Sequence, residues 1–340
     1  MMNTTMFQRL AMISVFLAFV VVILGAYTRL ADAGLGCPDW PGCYGQLDVP
    51  RGAEEMSQAN QAYPDRPVEA HKAWKEMVHR YFAGALGLLI LVMAFFAIRS
   101  RHNPQQQLAV PIFLVFFVIL QALLGMWTVT IKLNPTIVML HLMGGLTTLS
   151  LLAWVALRQS RWFCEHRIDM PRLNKLHMLS LLALLVVIAQ IMLGGWTSSN
   201  YAALACVDDF PTCHGQWWPA MDFREAFVLW RGTEMNFEFG VLQNDARMAI
   251  HMTHRIGAVV TLLVLLGLAL KLIAFAGSRG LKTLGSMLIL VLLVQLSLGI
   301  ANVLLSLPMA IALAHNAVAA LLLLVVVTIN HAIRPRGDSL

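Results

Sequence analysis

The sequence predicts an all-α integral membrane protein whose eight transmembrane helices form two tandem, parallel four-helix bundles. Composition is the first observation: 59% of the 340 residues are hydrophobic and 12% are charged, whereas an ordinary soluble domain has about 45–50% and about 25%. The second observation is a set of eight long apolar runs, and the third is an internal repeat of polar residues. Because one span needs about 20 mostly apolar residues, this composition excludes a soluble globular protein.

Residue fractions and charge exclude several other classes of protein. The 23 Gly, 13 Pro and 5 Cys are ordinary fractions, which excludes a disordered, collagen-like or disulfide-rich secreted chain. The net charge is +6, but in a membrane protein the placement of charges carries more information than their sum. No nucleic-acid partner follows from it.

The apolar runs place the spans along the chain. The first run follows Arg9 and ends at Arg29; it is too long for a secretory signal and lacks the small-residue cleavage pattern, so it is a span. Length and hydropathy predict the spans at residues 10–29, 80–98, 108–130, 136–157, 177–197, 248–275, 281–304 and 309–332.

Basic residues predict the orientation, because cytoplasmic loops near membrane ends are enriched in Lys and Arg. They follow spans two, four, six and eight, so these segments and both termini are predicted to be cytoplasmic. The two long loops, 30–79 and 198–247, then lie on the outer side, and 15 of the 18 acidic residues fall in them or at their edges. The basic residues are Arg99, Arg101, Arg158, Arg161, Arg167, Arg172, Lys175, Arg279, Lys282, Arg334 and Arg336.

Polar landmarks of the first half recur in the second half. Helix packing alone explains recurring small residues such as Gly125 and Gly299, but it does not explain recurring histidines. Each half has four spans, an even number, so the repeat is parallel rather than inverted. We predict an N-terminal bundle at 1–160, a cytoplasmic linker at 161–176 and a C-terminal bundle at 177–340. The matched landmarks are Gly25 with Gly194, Cys37 and Cys43 with Cys206 and Cys213, His79-Arg80 with His254-Arg255, Gln121 with Gln295, and His141 with His315.

Four of the 11 histidines form two matched pairs. Ionisable residues inside a span are costly and indicate function. His79 and His254 are predicted at the outer ends of their spans, and His141 and His315 lie five or six residues inside theirs, all within roughly 10 Å of the outer surface. Zinc normally takes four ligands, whereas heme iron takes axial ligands on both sides of an apolar disc. The pattern predicts two heme sites, His79 with His141 and His254 with His315.

Charged residues accompany the first histidine of each pair. Arg80 and Arg255 directly follow it, and an arginine at the interface can bind a heme propionate. Glu76 lies three residues before His79 on the same helical face, whereas the second half has His251 at that position. Glu76 is either a group for proton transfer or for stabilising a cationic intermediate, or a membrane-edge acid paired with a basic neighbour.

Each long outer loop contains two cysteines, separated by five residues in the first loop and six in the second. An oxidising compartment favours disulfides between such neighbours. Metal binding is less favoured, because each pair needs two further ligands, and a redox-active role for Cys37 and Cys43 stays open. The fifth cysteine, Cys164, lies in the basic cytoplasmic segment and is predicted to be reduced.

Together these features resemble the heme A synthase family, membrane enzymes that convert heme O to heme A for cytochrome c oxidase. The resemblance covers nearly the whole chain: eight spans in two halves, the Glu76-x-x-His79-Arg80 motif, the paired histidines and a cysteine pair in each outer loop. It implies a low-spin heme b bound by His254 and His315. The disulfide pairs that it implies are Cys37 with Cys43 and Cys206 with Cys213.

The resemblance also implies the chemistry of the N-terminal half. His79 and His141 would bind the substrate heme O, with Glu76 as the catalytic acid. One methyl group of the porphyrin would be oxidised to a formyl group by successive hydroxylations and loss of water from a geminal diol. Heme O carries a long farnesyl chain and would enter most easily from the membrane lipid. Handover from a heme O synthase and association with oxidase assembly factors are therefore expected.

Two other classes of protein share part of this pattern. A two-heme membrane cytochrome that transfers electrons from quinol or an outer reductant needs the same four histidines, but Glu76 and the cysteine-bearing loops favour the synthase. A transporter with repeated halves is less favoured. Its spans would have mid-membrane interruptions at the transport site, whereas the ionisable residues here cluster at one surface.

Overall fold

The computed structural model describes residues 4–103, 106–159, 170–207, 209–275 and 278–334. The regular secondary structure in these ranges is helical, with no extended strand. Eight helices are long and apolar enough to cross a membrane, which confirms the predicted all-α class with eight spans, and two short helices lie in the long loops. The helices are α1 Thr4–Leu30, α2 Ala53–Ala62, α3 Ala70–Arg99, α4 Ala109–Thr130, α5 Pro135–Gln159, α6 Met170–Ser199, α7 Phe223–Ala226, α8 Asn244–Ile273, α9 Arg279–Leu304 and α10 Met309–Ile333.

Two of the histidine-bearing helices begin earlier than hydropathy predicts. α3 begins at Ala70 and α8 at Asn244, because the polar residues of their first turns are compatible with helix although they lower the hydropathy. His79 and His254 therefore lie inside their helices, about 14 and 15 Å along the axis from the first residue. Their predicted depth near the outer membrane surface stays a prediction.

Contacts between helices group the spans four by four. α1, α3, α4 and α5 contact one another in a closed ring, and α6, α8, α9 and α10 form a second ring. The two sets meet along α1, α5, α6 and α10. The predicted linker 161–176 lies partly outside the described residues, as does Cys164, and α6 already begins at Met170. Buried aliphatic residues form one continuous cluster through both sets, including Leu149, Leu152, Leu268, Val326 and Ile329.

A buried polar contact joins α6 to α10 inside the second set. The hydroxyl of Ser180 donates to Oδ1 of Asn330 at 2.9 Å, and Nδ2 of Asn330 donates to the carbonyl of Ser180 at 3.0 Å. Both side chains are buried. The two side chains satisfy each other's hydrogen-bonding atoms, as buried polar groups usually do. Ser180 lies 10 residues before Gln190, a residue of the same helix that contacts His254.

Candidate functional site

Each histidine of the first pair packs against a glycine of the adjacent helix. A Cβ atom added to Gly25 on α1 would lie 3.1 Å from Cε1 of His79, and one added to Gly125 on α4 would lie 3.3 Å from Cε1 of His141. Ordinary van der Waals contact begins at about 3.4 Å. The imidazole rings can therefore occupy these positions because the facing residues have no side chain.

The second pair has the same arrangement. A Cβ atom at Gly194 on α6 would lie 3.2 Å from Cε1 of His254, and one at Gly299 on α9 would lie 3.1 Å from Cε1 of His315. Sequence reasoning recognised the recurrence of these glycines but assigned Gly299 to helix packing. Their recurrence with the histidines was the available signal that they accommodate the rings.

The rings of His79 and His141 face each other inside the first set of helices. Their centroids are 6.4 Å apart and their planes cross at 87°. A metal–nitrogen bond is about 2 Å long and an imidazole nitrogen lies about 1 Å from its ring centre, so two axial histidines of one iron have centroids about 6 Å apart. Nδ1 of each ring is buried, and the main chain of Val21 lies within hydrogen-bonding range of the His79 ring, as that of Gln121 does of the His141 ring. This pair therefore fits a heme.

The histidines of the second pair both have glutamine amides beside them. Nε2 of Gln190 on α6 donates to the main-chain carbonyl of His254 at 3.0 Å and lies 3.1 Å from Nδ1 of its ring. Nε2 of Gln295 on α9 lies 3.2 Å from Nε2 of His315. The part of the chain that the structure describes has no group of three or more His, Cys, Asp or Glu able to hold a metal ion. Two imidazoles are the donor set that heme iron takes.

Glu76 is buried beneath the first disulfide-closed loop. Its side chain is 6% exposed, Oε2 accepts the N–H of Cys37 at 3.0 Å, and Oε1 forms an ion pair with Arg80. Glu76 is therefore paired with a basic neighbour, as one of the two sequence alternatives expects. It also lies one helical turn from His79, so the ion pair and a role at the first histidine pair are compatible.

Arg80 and Arg255, which directly follow His79 and His254, bind the two long loops. Nη1 of Arg80 donates to the main-chain carbonyls of Pro41, at 3.2 Å, and Gly42. Arg255 makes the corresponding contacts in the second half and adds two more. Each guanidinium therefore holds its loop against the helix that carries the histidine. The carbonyls that accept from Arg255 are those of Pro211, Thr212, Cys206 and Asp209.

Each loop is closed by a disulfide and stabilised by an aspartate. Asp39 accepts the N–H groups of Tyr44 at 2.7 Å and Gly45 at 2.8 Å. In the second loop Asp209 accepts the N–H of Gly215 at 2.6 Å, and this bond, with one from the hydroxyl of Thr212, lowers the pKa of the Asp209 carboxyl below its ordinary value. The disulfides are Cys37 with Cys43, S–S 2.00 Å, and Cys206 with Cys213, 1.96 Å.

The second long loop crosses to the first set of helices, a contact that the sequence does not predict. The N–H of Phe237 donates to the carbonyl of Lys132, in the turn before the helix of His141, at 3.0 Å. Arg66 of the first loop forms a 2.9 Å ion pair with Glu238. The turn between α4 and α5 is therefore covered by a segment of the second half. The buried side chain of Phe237 packs with Leu35, Val129 and Leu133.

The eight apolar helices define the class of this molecule as a multi-pass membrane protein, and one of its helix sets holds two facing imidazoles, those of His79 and His141. Residues 8–327 match the family described as cytochrome oxidase assembly protein, COX15-CtaA. The chain is 47% identical to the heme A synthase of Shewanella oneidensis over 96% of each chain. It is 26% identical to the heme A synthases of Halalkalibacterium halodurans, over 89% of each chain, and Caulobacter vibrioides, over 91% of this chain and 90% of the relative. The chain belongs to the heme A synthase family.

Proposed function

We propose that this enzyme oxidises one porphyrin methyl group of heme O to a formyl group by successive hydroxylations, which yields heme A for cytochrome c oxidase. The observation that carries the proposal is the position of Glu76, a buried carboxylate one turn from the facing rings of His79 and His141. The second half has His251 at that position, and Nδ1 of His251 is engaged with the carbonyl of Ala202 at 2.9 Å. The relatives named heme A synthase support the same reaction.

The two halves have different tasks in this proposal. In the N-terminal half, residues 1–160, His79 and His141 bind the substrate heme O and orient its ring. In the C-terminal half, residues 177–340, His254 and His315 bind a resident heme b. When bound, the heme irons supply the redox chemistry, and the protein positions the ring and excludes competing reactions.

Glu76 is the group that transfers protons at the N-terminal site in this proposal. Oε1 of Glu76 forms an ion pair with Arg80, and Oε2 accepts the N–H of Cys37. The carboxyl group is therefore fixed between the helix and the disulfide-closed loop. A group held in this way can accept or deliver a proton at a constant place. Arg80 and Arg255 hold the loops above the two sites, and their binding of heme propionates is a further part of the proposal.

The proposed orientation places both termini in the cytoplasm and the disulfide-bearing loops on the outer side. Basic residues at the ends of the even-numbered spans support it, and disulfides are stable in an oxidising compartment. Heme O enters from the lipid between spans, by handover from a heme O synthase within a complex that includes oxidase assembly factors. Crosslinking in membranes followed by purification in mild detergent tests this, and recovery of the enzyme without any partner would contradict it.

The reaction is tested by extraction and chromatographic identification of the hemes that copurify with the enzyme, expressed with and without a source of heme O. The wild-type enzyme is expected to hold heme B without that source and to yield heme A with it. Glu76→Ala is expected to retain heme B and to form no heme A. Glu69→Ala is the matched control, because Glu69 is an exposed carboxylate at the start of α3 that pairs with Lys72.

Three outcomes would contradict these assignments. Heme A formation near the wild-type level by Glu76→Ala would exclude a role for this carboxylate. Heme B as the sole heme under both conditions would favour an electron-transferring cytochrome. Retention of heme B by His254→Ala would exclude the proposed ligand of the resident heme.

A further inference from the structure

The disulfide-closed parts of the two long loops have the same local structure. We call these segments, 37–48 and 206–218, the loop tips. In each tip the second cysteine exchanges two backbone hydrogen bonds with a glutamine three residues later, so the residue after that glutamine occupies the same position in both tips. The bonded pairs are Cys43 with Gln46 and Cys213 with Gln216.

Large apolar side chains project from both loop tips. Leu47 and Trp217, which directly follow the corresponding glutamines, are 87% and 72% exposed. Trp218 is 64% exposed, and its ring stacks on Phe223 at a centroid distance of 6.3 Å. Removal of such side chains from water is favourable. Because the exposure recurs at the same position of both tips, it is a shared property of the two loops.

Each loop tip lies level with an arginine of the adjacent membrane helix. Arg80 on α3 donates to main-chain carbonyls of the first tip, and Arg255 on α8 donates to those of the second. The hydroxyl of Tyr81 donates to the carbonyl of Leu47 at 3.1 Å. The exposed apolar surface of the two helices begins directly after the arginines, at Tyr81 and Ile256. The exposed side chains of the tips therefore continue the apolar surface of the spans.

The lengths of the charge-free stretches place the membrane boundary at this level. From Arg80 to Arg99, α3 has 18 intervening residues without charge, and from Arg255 to Lys271, α8 has 15. At about 1.5 Å per residue these stretches are about 27 and about 22 Å long, whereas the hydrocarbon core is about 30 Å thick. Neither helix has apolar residues to spare, so the core extends as far as Arg80 and Arg255.

The two ends of these stretches differ in how their charges are accommodated. At the far end Arg99 and Lys271 can extend their long side chains toward water. Arg80 and Arg255 instead bind main-chain carbonyls of the loop tips. The tips therefore supply acceptors for two guanidinium groups at a depth where an unpaired charge is costly.

We propose that both loop tips lie in the headgroup region of the membrane leaflet on their side, where Leu47, Trp217 and Trp218 contact phospholipid. Tryptophan is enriched at this depth because its ring has an apolar body and a polar N–H group. Both tips enter the same leaflet, because the Arg66–Glu238 ion pair joins the two loops on one side of the helices. This inference depends on the membrane-spanning fold and not on the proposed reaction.

The experiment measures the depth of single nitroxide labels on the full-length holoenzyme in phosphatidylcholine–phosphatidylglycerol nanodiscs. Leu47→Cys and Trp217→Cys are labelled in a Cys164→Ser background. Leu263→Cys, at an exposed position in the middle of α8, is the reference for lipid, and Glu54→Cys, at an exposed position of the polar helix α2, is the reference for water. Power saturation is measured with oxygen, which concentrates in lipid, and with a nickel chelate, which stays in water, each relative to nitrogen.

The ratio of the oxygen effect to the nickel effect is expected to lie between the two references for both loop-tip labels. A ratio equal to that of Glu54→Cys would overturn the proposal, since the tips would then lie in water. Weak effects of both reagents would also overturn it, because protein would then cover the tips in place of lipid. Neither result would bear on the assignment of the reaction.

A second measurement uses the wild-type enzyme and so avoids any effect of substitution. Nanodiscs containing a phospholipid with a diazirine next to its headgroup are irradiated, and the modified peptides are identified by mass spectrometry. Modification is expected within both loop tips and not within Ala53–Ala62, the helix α2. Modification of α2 to the same extent as the tips, or of neither, would contradict the proposal.

Discussion

The substitution Gly25→Ala tests most directly how His79 is positioned at the N-terminal site. In Gly25→Ala the new methyl group would lie 3.1 Å from Cε1 and 3.4 Å from Nε2 of the ring. Because ordinary contact begins at about 3.4 Å, the ring must move by a few tenths of an ångström or the helices must separate. The change therefore displaces the proposed iron ligand without altering any polar group.

The size of the effect follows from the cost of overpacking a close-packed contact. An added methyl group of this kind costs about 1–3 kcal/mol, and each 1.4 kcal/mol is about tenfold in an equilibrium or a rate. If the cost falls on the bound state of heme O, heme A formation falls by roughly 5-fold to 140-fold. The assay is heme A per mole of purified enzyme from cells that supply heme O, with bound heme B as the internal measure of folding.

A matched control is available on the helix that carries His79. Gly84 also lies in α3, but a Cβ atom there would meet nothing within 4 Å. Gly84→Ala is expected to leave heme A formation unchanged and to stabilise the helix slightly, by about 0.5–1 kcal/mol. Wild-type activity of Gly25→Ala, or equal losses in both variants, would refute the reasoning that the missing side chain positions the ring.

Three further predictions concern the two long loops. Arg255→Lys is expected to loosen the second loop, because a single ammonium group cannot replace a guanidinium that reaches four carbonyls; faster proteolysis within that loop measures it, and unchanged proteolysis would contradict it. Phe237→Ala removes a fully buried ring, a change that costs about 3–5 kcal/mol, so the crossing segment is expected to detach and heme A formation to fall while heme B is retained. Unchanged heme A formation would exclude a role for that cover. Arg66→Ala breaks the partly exposed ion pair with Glu238, where such pairs contribute roughly 0.2–1 kcal/mol, so thermal unfolding is expected to shift little; a large shift would show that the pair is essential for docking.

The spans and the histidine pairs were accessible from the sequence because both leave one-dimensional signals. Hydropathy over about 20 residues reports transfer into lipid, and eight helices of the structure correspond to the eight apolar runs. Recurring histidines at fixed spacing identified His79 with His141 as partners, and their rings lie 6.4 Å apart. Helix starts were less accessible, since polar first turns lower the hydropathy without ending the helix.

The role of the glycines shows where sequence reasoning stopped. Gly25, Gly125, Gly194 and Gly299 recur in register with the histidines, but small residues also recur wherever membrane helices pack closely. Only the distances from each glycine to an imidazole ring separate these explanations. The amide of Gln190 lies beside His254, a contact that the sequence does not predict.

The sequence by itself determined the class of membrane protein and the number of spans. It also predicted the repeat, the two histidine pairs and a role for Glu76, which has His251 at the corresponding position of the second half. Those properties depend on the composition and spacing of single segments, so they can be read without knowing which helices are neighbours. The tertiary structure alone decided that Glu76 binds Cys37 and Arg80, that each imidazole rests on a glycine, and that the second loop covers the turn before the helix of His141. These contacts join residues that are distant in the chain, and they exist only because particular helices pack side by side and leave space for particular side chains.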